Sequence, residues 1–377
     1  MEEKKEQARL LEVALVFIKL GCIGFGGPAV HIAMMEEEIV RKRKWLSHQH
    51  FLDLVGATNL IPGPNSTEMT MHIGHERAGW RGLVVAGLCF IFPAVIITAF
   101  FAWLYQQYGK LPEVQPFIYG IKPAIIAVVV FLMIRLGKKA LKSIELGLLG
   151  ILAAAAVLAG FNEIYVLFGG GVLGVIISEL KRTGKTAKGY FPLLLLQLAD
   201  SSFNISNFKL FFIFLKIGAI LYGSGYVLFG FLDAELVAKG ILSKQQLADA
   251  IAVGQFTPGP VFSSATFIGW QIGGLPGAVA ATLGIFMPSF LFVALLNPLI
   301  AKLRSAKVFS VFLDTVNVVS IAIILSVIIE IAKITLLDWR TIIIAVTSFI
   351  TLFCFKGLNT AYIIVGGASL GYFLTFI

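Results

Sequence analysis

Two stretches of the chain combine helix-breaking residues with hydroxyl donors in the same order. Asn59–Gly74 reads NLIPGPNSTEMTMHIG, and Gln255–Gly269 reads QFTPGPVFSSATFIG. Pro62 and Pro258 have no amide hydrogen with which to continue a helix. Gly63 and Gly259 tolerate positive φ, so a helix arriving at either point must stop. Pro64 and Pro260 suit the first position of a new helix. That helix starts with free N–H groups and a partial positive charge, which attract anions. Asn65, Ser66 and Thr67 in the first copy, and Ser263, Ser264 and Thr266 in the second, add neutral donors beside those amides. The expected chemistry is reversible capture of an anion between two helix ends, with simple capping as the competing role.

Other polar residues extend this reading. Lys19 and Lys216 occupy matching places inside apolar runs, where each could offer a point charge to an oxyanion or pair with an acid. Gly26 and Gly27, with Gly24, and Gly223-Ser224-Gly225 in the second half, could expose amides as a second cradle, or serve close helix packing. Glu68, His31 and His72 are candidates for carrying a coupling proton. The run Glu36-Glu37-Glu38 beside Arg41–Lys44 reads as an interfacial charge pair. Asp53 and Asp249 read as helix-dipole partners. Cys22, Cys89 and Cys354 read as buried, inert thiols. There is no Walker loop, HExxH, GxSxG or zinc spacing. No enzyme activity, metal or cofactor is expected.

The elements that hold these residues must be membrane helices. Of 377 residues, 58% are hydrophobic and only 14% charged, whereas soluble domains carry about 25% charged residues. Several apolar runs reach the ~20 residues that span a bilayer, and their length excludes a β-barrel. The net charge of +9 sits in short loops, which points to the positive-inside bias and away from nucleic acid. Met1–Arg9 is polar and runs into the first hydrophobic segment, so no cleavable signal is expected. Trp45, Trp80 and Trp339 read as interface anchors.

The pattern occurs twice. Phe17–Gly21 (FIKLG) matches Phe214–Gly218 (FLKIG), Leu46-Ser47 matches Leu242-Ser243, and Asp53 matches Asp249. The Pro-Gly-Pro triplets match, as do Gly74 and Gly269, Gly79 and Gly274, Gly82 and Gly277, and Pro93 and Pro288. We divide the chain into a first repeat (1–185), a linker (186–205) and a second repeat (206–377). Basic residues of the first repeat collect at Arg77 and Arg81 and at Lys138, Lys139 and Lys142, and the counterpart of the Arg77–Arg81 loop, Gly273–Gly277, carries no charge. The second repeat is basic instead at Lys302, Arg304 and Lys307. The repeats are therefore expected to be inverted, a hallmark of secondary transporters. Inversion needs an odd offset, which an extra crossing near 190–200 would supply, for about thirteen crossings with the C-terminus outside. The expected fold is an all-α polytopic membrane protein with two inverted repeats and broken, re-entrant helices.

With FGGPAVHIAMMEEEIV, the first Pro-Gly-Pro stretch, AGWRGLVVAGLCFIFPA and the second-half TPGP in view, the chain resembles the chromate ion transporter family, in its long, two-repeat form, over essentially its whole length. The resemblance implies a secondary transporter of the bacterial cytoplasmic membrane that exports chromate by alternating access, with sulfate as the isosteric competitor. Expected partners are chromate or sulfate, membrane lipid and, as an option, a second copy of the chain. The alternatives are an importer or exchanger of sulfate or another oxyanion, and an anion channel. The second repeat departs from the pattern, with Gly223-Ser224-Gly225 where the first has Gly26-Gly27-Pro28, so the two cradles should be unequal.

Overall fold

The computed structural model describes residues 2–109, 111–183, 206–222, 225–296, 307–355 and 358–375. All secondary structure among them is helical. The first repeat contains α1 (Glu2–Ile23), α2 (Pro28–Met35) running into a π-helical segment (Glu36–Lys42), α3 (His48–Thr58), α4 (Asn65–Tyr108), α5 (Gln115–Ala140), α6 (Ile144–Leu158) and α7 (Glu163–Thr183). The second contains α8 (Asn207–Ile220), a 3-10 turn (Gly225–Val227) leading to α9 (Leu228–Leu232), a π-helical segment (Asp233–Val237) and α10 (Lys244–Phe256). A second 3-10 turn (Val261–Ser263) then leads to α11 (Ser264–Leu296), α12 (Lys307–Thr335), α13 (Trp339–Cys354) and α14 (Thr360–Thr375). The proposed linker, the extra crossing near 190–200, the candidates Gly223 and Ser224, and the basic residues Lys302 and Arg304 lie outside the described residues.

The same local devices appear in both repeats. Ser47 caps α3 by accepting from the His50 amide, and Ser243 caps α10 by accepting from the Gln246 amide. A hydroxyl there satisfies an amide that has no helical partner. α4 and α11 each contain a reversal. Ala78 (φ −146°, ψ 27°) and Gly79 (φ 61°, ψ −152°) recur almost unchanged as Gly273 (φ −135°, ψ 20°) and Gly274 (φ 62°, ψ −151°). The second position of each pair is left-handed, which glycine adopts without a Cβ clash. The chain turns back tightly, so that a Cβ on Gly74 would strike the Gly82 carbonyl, and one on Gly269 the Gly277 carbonyl. α4 is thus a half-helix α4a (65–77) followed by a full crossing α4b (80–108). α11 divides likewise into α11a (264–272) and α11b (275–296).

These half-helices belong to re-entrant hairpins. His50 Nε2 at the start of α3 lies 3.5 Å from Glu76 Oε1 at the end of α4a, so the α3/α4a hairpin enters and leaves on one side. The hairpin of α1 with α2 and its π-helical extension does the same, since Arg43 bonds Glu12 at 3.0 Å and Lys19 lies 3.6 Å from Glu38. The unwound tips end up at depth, where only protein or a lined cavity can satisfy their backbone.

Five described stretches are long and apolar enough to cross a bilayer: Asn65–Tyr108, Gln115–Ala140, Glu163–Lys181, Val261–Leu295 and Val308–Thr335. On α4b, Leu88, Phe92, Ile96 and Phe100 form an exposed stripe at four-residue spacing. Val279, Leu283, Met287, Leu291 and Leu295 repeat it on α11b. Such stripes suit lipid tails. Two cysteines correct the buried reading: Cys22 and Cys354 are exposed, and Cys89 is half-buried. They sit on the apolar outer surface, where the surrounding composition alone cannot distinguish lipid from core.

Candidate anion site

Each of the two Pro-Gly-Pro breaks is buried and fastened to the opposite repeat. The Gly63 amide donates to the Leu221 carbonyl at 2.8 Å, and the Gly259 amide donates to the Gly24 carbonyl at 2.8 Å. Leu221 and Gly24 end the matched helices α8 and α1, so the pair of bonds is reciprocal, as around a two-fold axis. Gly63 and Gly259 take φ 137° and 88°, as their positions between prolines require.

Contacts along α4b fix the direction of each half-helix. α4a runs from Pro64 to the end of α4b marked by Gly82. α11a starts beside Thr98, whose Oγ1 donates to Ser263 Oγ at 3.2 Å. It finishes beside Gln106, which accepts from Trp270 Nε1 at 2.7 Å. The two half-helices therefore leave the central level in opposite directions, with both N-termini at that level. This is the inverted arrangement.

The expected anion site between these N-termini is closed. Ser66, Thr67, Ser263 and Ser264 are 0–2% exposed, and the proline and glycine residues of both breaks are buried. Several candidate donors are committed elsewhere. Asn65 Nδ2 donates to Asn59 Oδ1 at 2.7 Å, Ser264 Oγ to the Val261 carbonyl at 2.8 Å, and Thr266 Oγ1 lies 2.7 Å from Thr282 Oγ1. His31 Nε2 lies 2.9 Å from the Gly24 carbonyl, and the imidazole meets Phe90 edge-on. Its Nδ1 is buried without a hydrogen-bond partner. His72 and Glu68 are buried without hydrogen-bond partners for His72 Nε2 or either Glu68 oxygen.

What is open is a cavity of about 620 Å³ beside the first glycine break. Its walls carry Lys19, Lys42, Arg135 and Lys139 with Glu37 and Glu38, and its inner end carries Gly26, Pro28, Ala29 and Tyr226. A volume of this size accommodates a small ligand with water, about 300–1,000 Å³ being usual. Gly26 and Gly27 have φ 106° and 80°, and α2 starts at Pro28, so a helix N-terminus faces the cavity. Tyr226, from the second repeat, packs so close that a Cβ on Gly27 would strike its hydroxyl. The structure thus groups Lys19 and Gly26 with Lys139, which in the sequence reads only as part of a basic loop, and with Arg135 near it on α5. It places Asn65, Ser66, Thr67, Ser263, Ser264 and Thr266 outside this cavity's lining.

The paired lysines are explained by acids. Lys19 faces Glu38, and Lys216 bonds the matched Glu235 at 2.7 Å. Burial raises the Glu38 carboxyl, but the Arg43 hydrogen bond and the nearby Lys19, Arg43 and Lys42 charges outweigh it and hold it below the usual carboxylate range. Lys19 still lines the cavity, with its side chain 57% exposed. The dipole reading of Asp249 is also corrected. This residue is buried beyond the first turn of α10, where Lys122 Nζ lies 3.0 Å from Oδ1 and the Tyr105 hydroxyl donates to Oδ2 at 2.6 Å. Asp53, its partner by sequence, remains half-exposed and accepts from Gln49 at 3.5 Å. The signal for the buried pair was Lys122 itself, a cation within the apolar run of α5.

The chromate transporter family profile matches residues 11–175 and again 208–372. A chromate transport protein of Cupriavidus metallidurans is 27% identical over 370 residues, covering 96% of this chain and 92% of that protein. A probable chromate transport protein of Synechococcus elongatus is 27% identical, covering 91% and 89% respectively. A chromate transport protein of Pseudomonas aeruginosa is 28% identical, covering 85% and 80%. No solved structure matches. With its repeats matched one after the other, the chain belongs to the chromate transporter family.

Proposed function

We propose that the protein is a secondary transporter of chromate-like oxyanions in the cytoplasmic membrane, working as an exporter by alternating access. The observation that carries this reading is the cavity, which has four basic side chains on its walls and the Gly26–Pro28 helix start at its inner end. A tetrahedral dianion gains from both, through point charges at the mouth and backbone donors at the floor. The cavity lies on the side of the basic loops of the first repeat, Arg41–Lys44 and Lys138–Lys142, which the positive-inside bias assigns to the cytoplasm. It is therefore a cytoplasm-facing vestibule. Transport requires the two repeats to shift about their reciprocal contact, closing this vestibule and opening its counterpart.

The packed Pro-Gly-Pro centre argues against a continuous pore and hence against the channel reading. Selectivity between chromate and sulfate rests on similar geometry and charge, so both are proposed to enter, with exchange of sulfate or another oxyanion as the second reading. The test is counterflow of labelled chromate in proteoliposomes holding the purified protein. Counterflow above protein-free vesicles, with competition by sulfate, molybdate and phosphate ranking the substrates, is expected. Its absence with every oxyanion overturns the reading, and ion conductance without counterflow restores the channel.

A further inference from the structure

We infer that the Glu68 carboxyl is an exchangeable-proton site of the carrier, protonated in this conformation and opened to water when the two repeats separate. The inference rests on the transport reading above and assigns it a coupling ion.

Glu68 stands one turn after Pro64 in α4a and has 0% exposed surface. Its carboxyl oxygens make no hydrogen bond of good geometry, and the polar group set against them is the neutral, buried Ser289 hydroxyl. Both groups crowd Gly63, where an added Cβ would strike Glu68 Oε1 and Ser289 Oγ. Among the described residues, no lysine or arginine pairs with Glu68. Tyr222, just after α8, lies within electrostatic reach of it from the second repeat. His72 lies one turn farther along α4a, itself buried, and α11b presents the neutral Ser289. An ionised carboxylate so placed would have neither water nor a counter-charge, whereas the neutral acid avoids that penalty.

The position supplies the coupling. Glu68 belongs to the first repeat, while Ser289, Tyr222 and the Leu221 carbonyl that holds Gly63 belong to the second. The carboxyl is therefore dry only while the repeats are closed on each other. When they part and water enters, the carboxyl O–H bond breaks. Its electron pair stays on the oxygen and the proton passes to water; closure takes one back. The matched break of the second repeat carries Ser263 and Ser264 in this region, and Ala94 packs on Gly259 where Ser289 packs on Gly63. With no acid at the matched place of the second repeat, Glu68 would supply one exchangeable proton per cycle.

The test uses the full chain in proteoliposomes with the membrane potential clamped at zero. In the wild type, an imposed pH gradient of one polarity drives chromate accumulation above protein-free vesicles. In Glu68→Gln that response is lost, while chromate counterflow, which needs no net proton movement, stays within about threefold of wild type. Infrared spectra of the wild type carry a protonated-carboxyl stretch that is absent from Glu68→Gln. The proposal is overturned if Glu68→Gln still responds to the pH gradient, if the band survives the substitution, or if counterflow disappears with accumulation. It is also overturned if a sodium gradient at fixed pH drives flux that requires Glu68. Wild-type protein lacking counterflow sinks the transport reading instead, so the two failures are distinguishable.

Discussion

The segments 24–35 and 221–232 occupy equivalent places in the two repeats, yet among the described residues one is open and the other sealed. Ala29, Val30 and Ala33 are exposed along the cavity, whereas Tyr226, Val227, Leu228, Phe229, Phe231 and Leu232 are at most 4% exposed. The difference lies in the neighbouring long helix. α12 closes onto α9, so that a Cβ on Gly230 would strike Ile323. α5 stands off from α2 across the vestibule, presenting Leu132, Arg135 and Leu136 to it. Two copies of one design thus differ in closure, as the alternating-access cycle proposed above would require of any one conformation.

The comparison is tested most severely at Asp249 and Asp53. Asp249→Asn leaves Lys122 as a buried, uncompensated cation and should cost about 3–5 kcal/mol, read as a large fall in thermal stability in detergent. Asp53→Asn should change stability by less than about 0.5 kcal/mol. Equal losses would show that the matched sites are not as different as their burial implies.

Gate asymmetry itself is open to thiol labelling. With the three native cysteines replaced by alanine, Val30→Cys should react with an impermeant maleimide added from the cytoplasmic side at least about tenfold faster than Phe229→Cys, in line with the contrast in access. Reversal of that order under conditions favouring the other state would sharpen the account; equal rates in all conditions would break it.

A smaller effect is expected from the vestibule's charges. Arg135→Ala or Lys139→Ala should raise the chromate concentration for half-maximal counterflow by roughly fivefold, less in high salt, because exposed charges are screened. Lys239→Ala, against Glu235 on the sealed side, should leave that concentration unchanged. The smallest contrast involves the repeated lysines. Lys19→Ala should cost well under ~1 kcal/mol, since its pair with Glu38 is open to solvent, and Lys216→Ala somewhat more. Thermal shifts of the two variants measured together decide the order.

Much of the architecture was legible because it depends on residues with strong local preferences. The Pro-Gly-Pro triplets, the serine caps and Gly79 with Gly274 each fix a break or a turn by backbone sterics, and they recur in register. Long apolar runs identified the membrane class, and swapped basic loops predicted the inversion that the opposed half-helices display. The location of the open cavity was not legible. It depends on the distance between α5 and α2, a tertiary quantity with no local signature. The hydroxyls after each break carried a real helix-start signal, but sequence cannot tell a donor held in reserve from one already bonded, as Asn65 is to Asn59. Lys19 and Lys216 were correctly paired by position. Nothing in the sequence indicated that the π-helical turns would bring their acids, Glu38 and Glu235, into reach.

The crossed bonds from Gly63 to Leu221 and from Gly259 to Gly24 carry a consequence for assembly. Each break satisfies its glycine amide only by borrowing a carbonyl from the other repeat, so a lone repeat in lipid would be left with a naked donor at its Pro-Gly-Pro tip. Severed near the middle of the chain, the fragments should seek each other out and rebuild the carrier, while either fragment produced alone should be cleared by the cell's proteases.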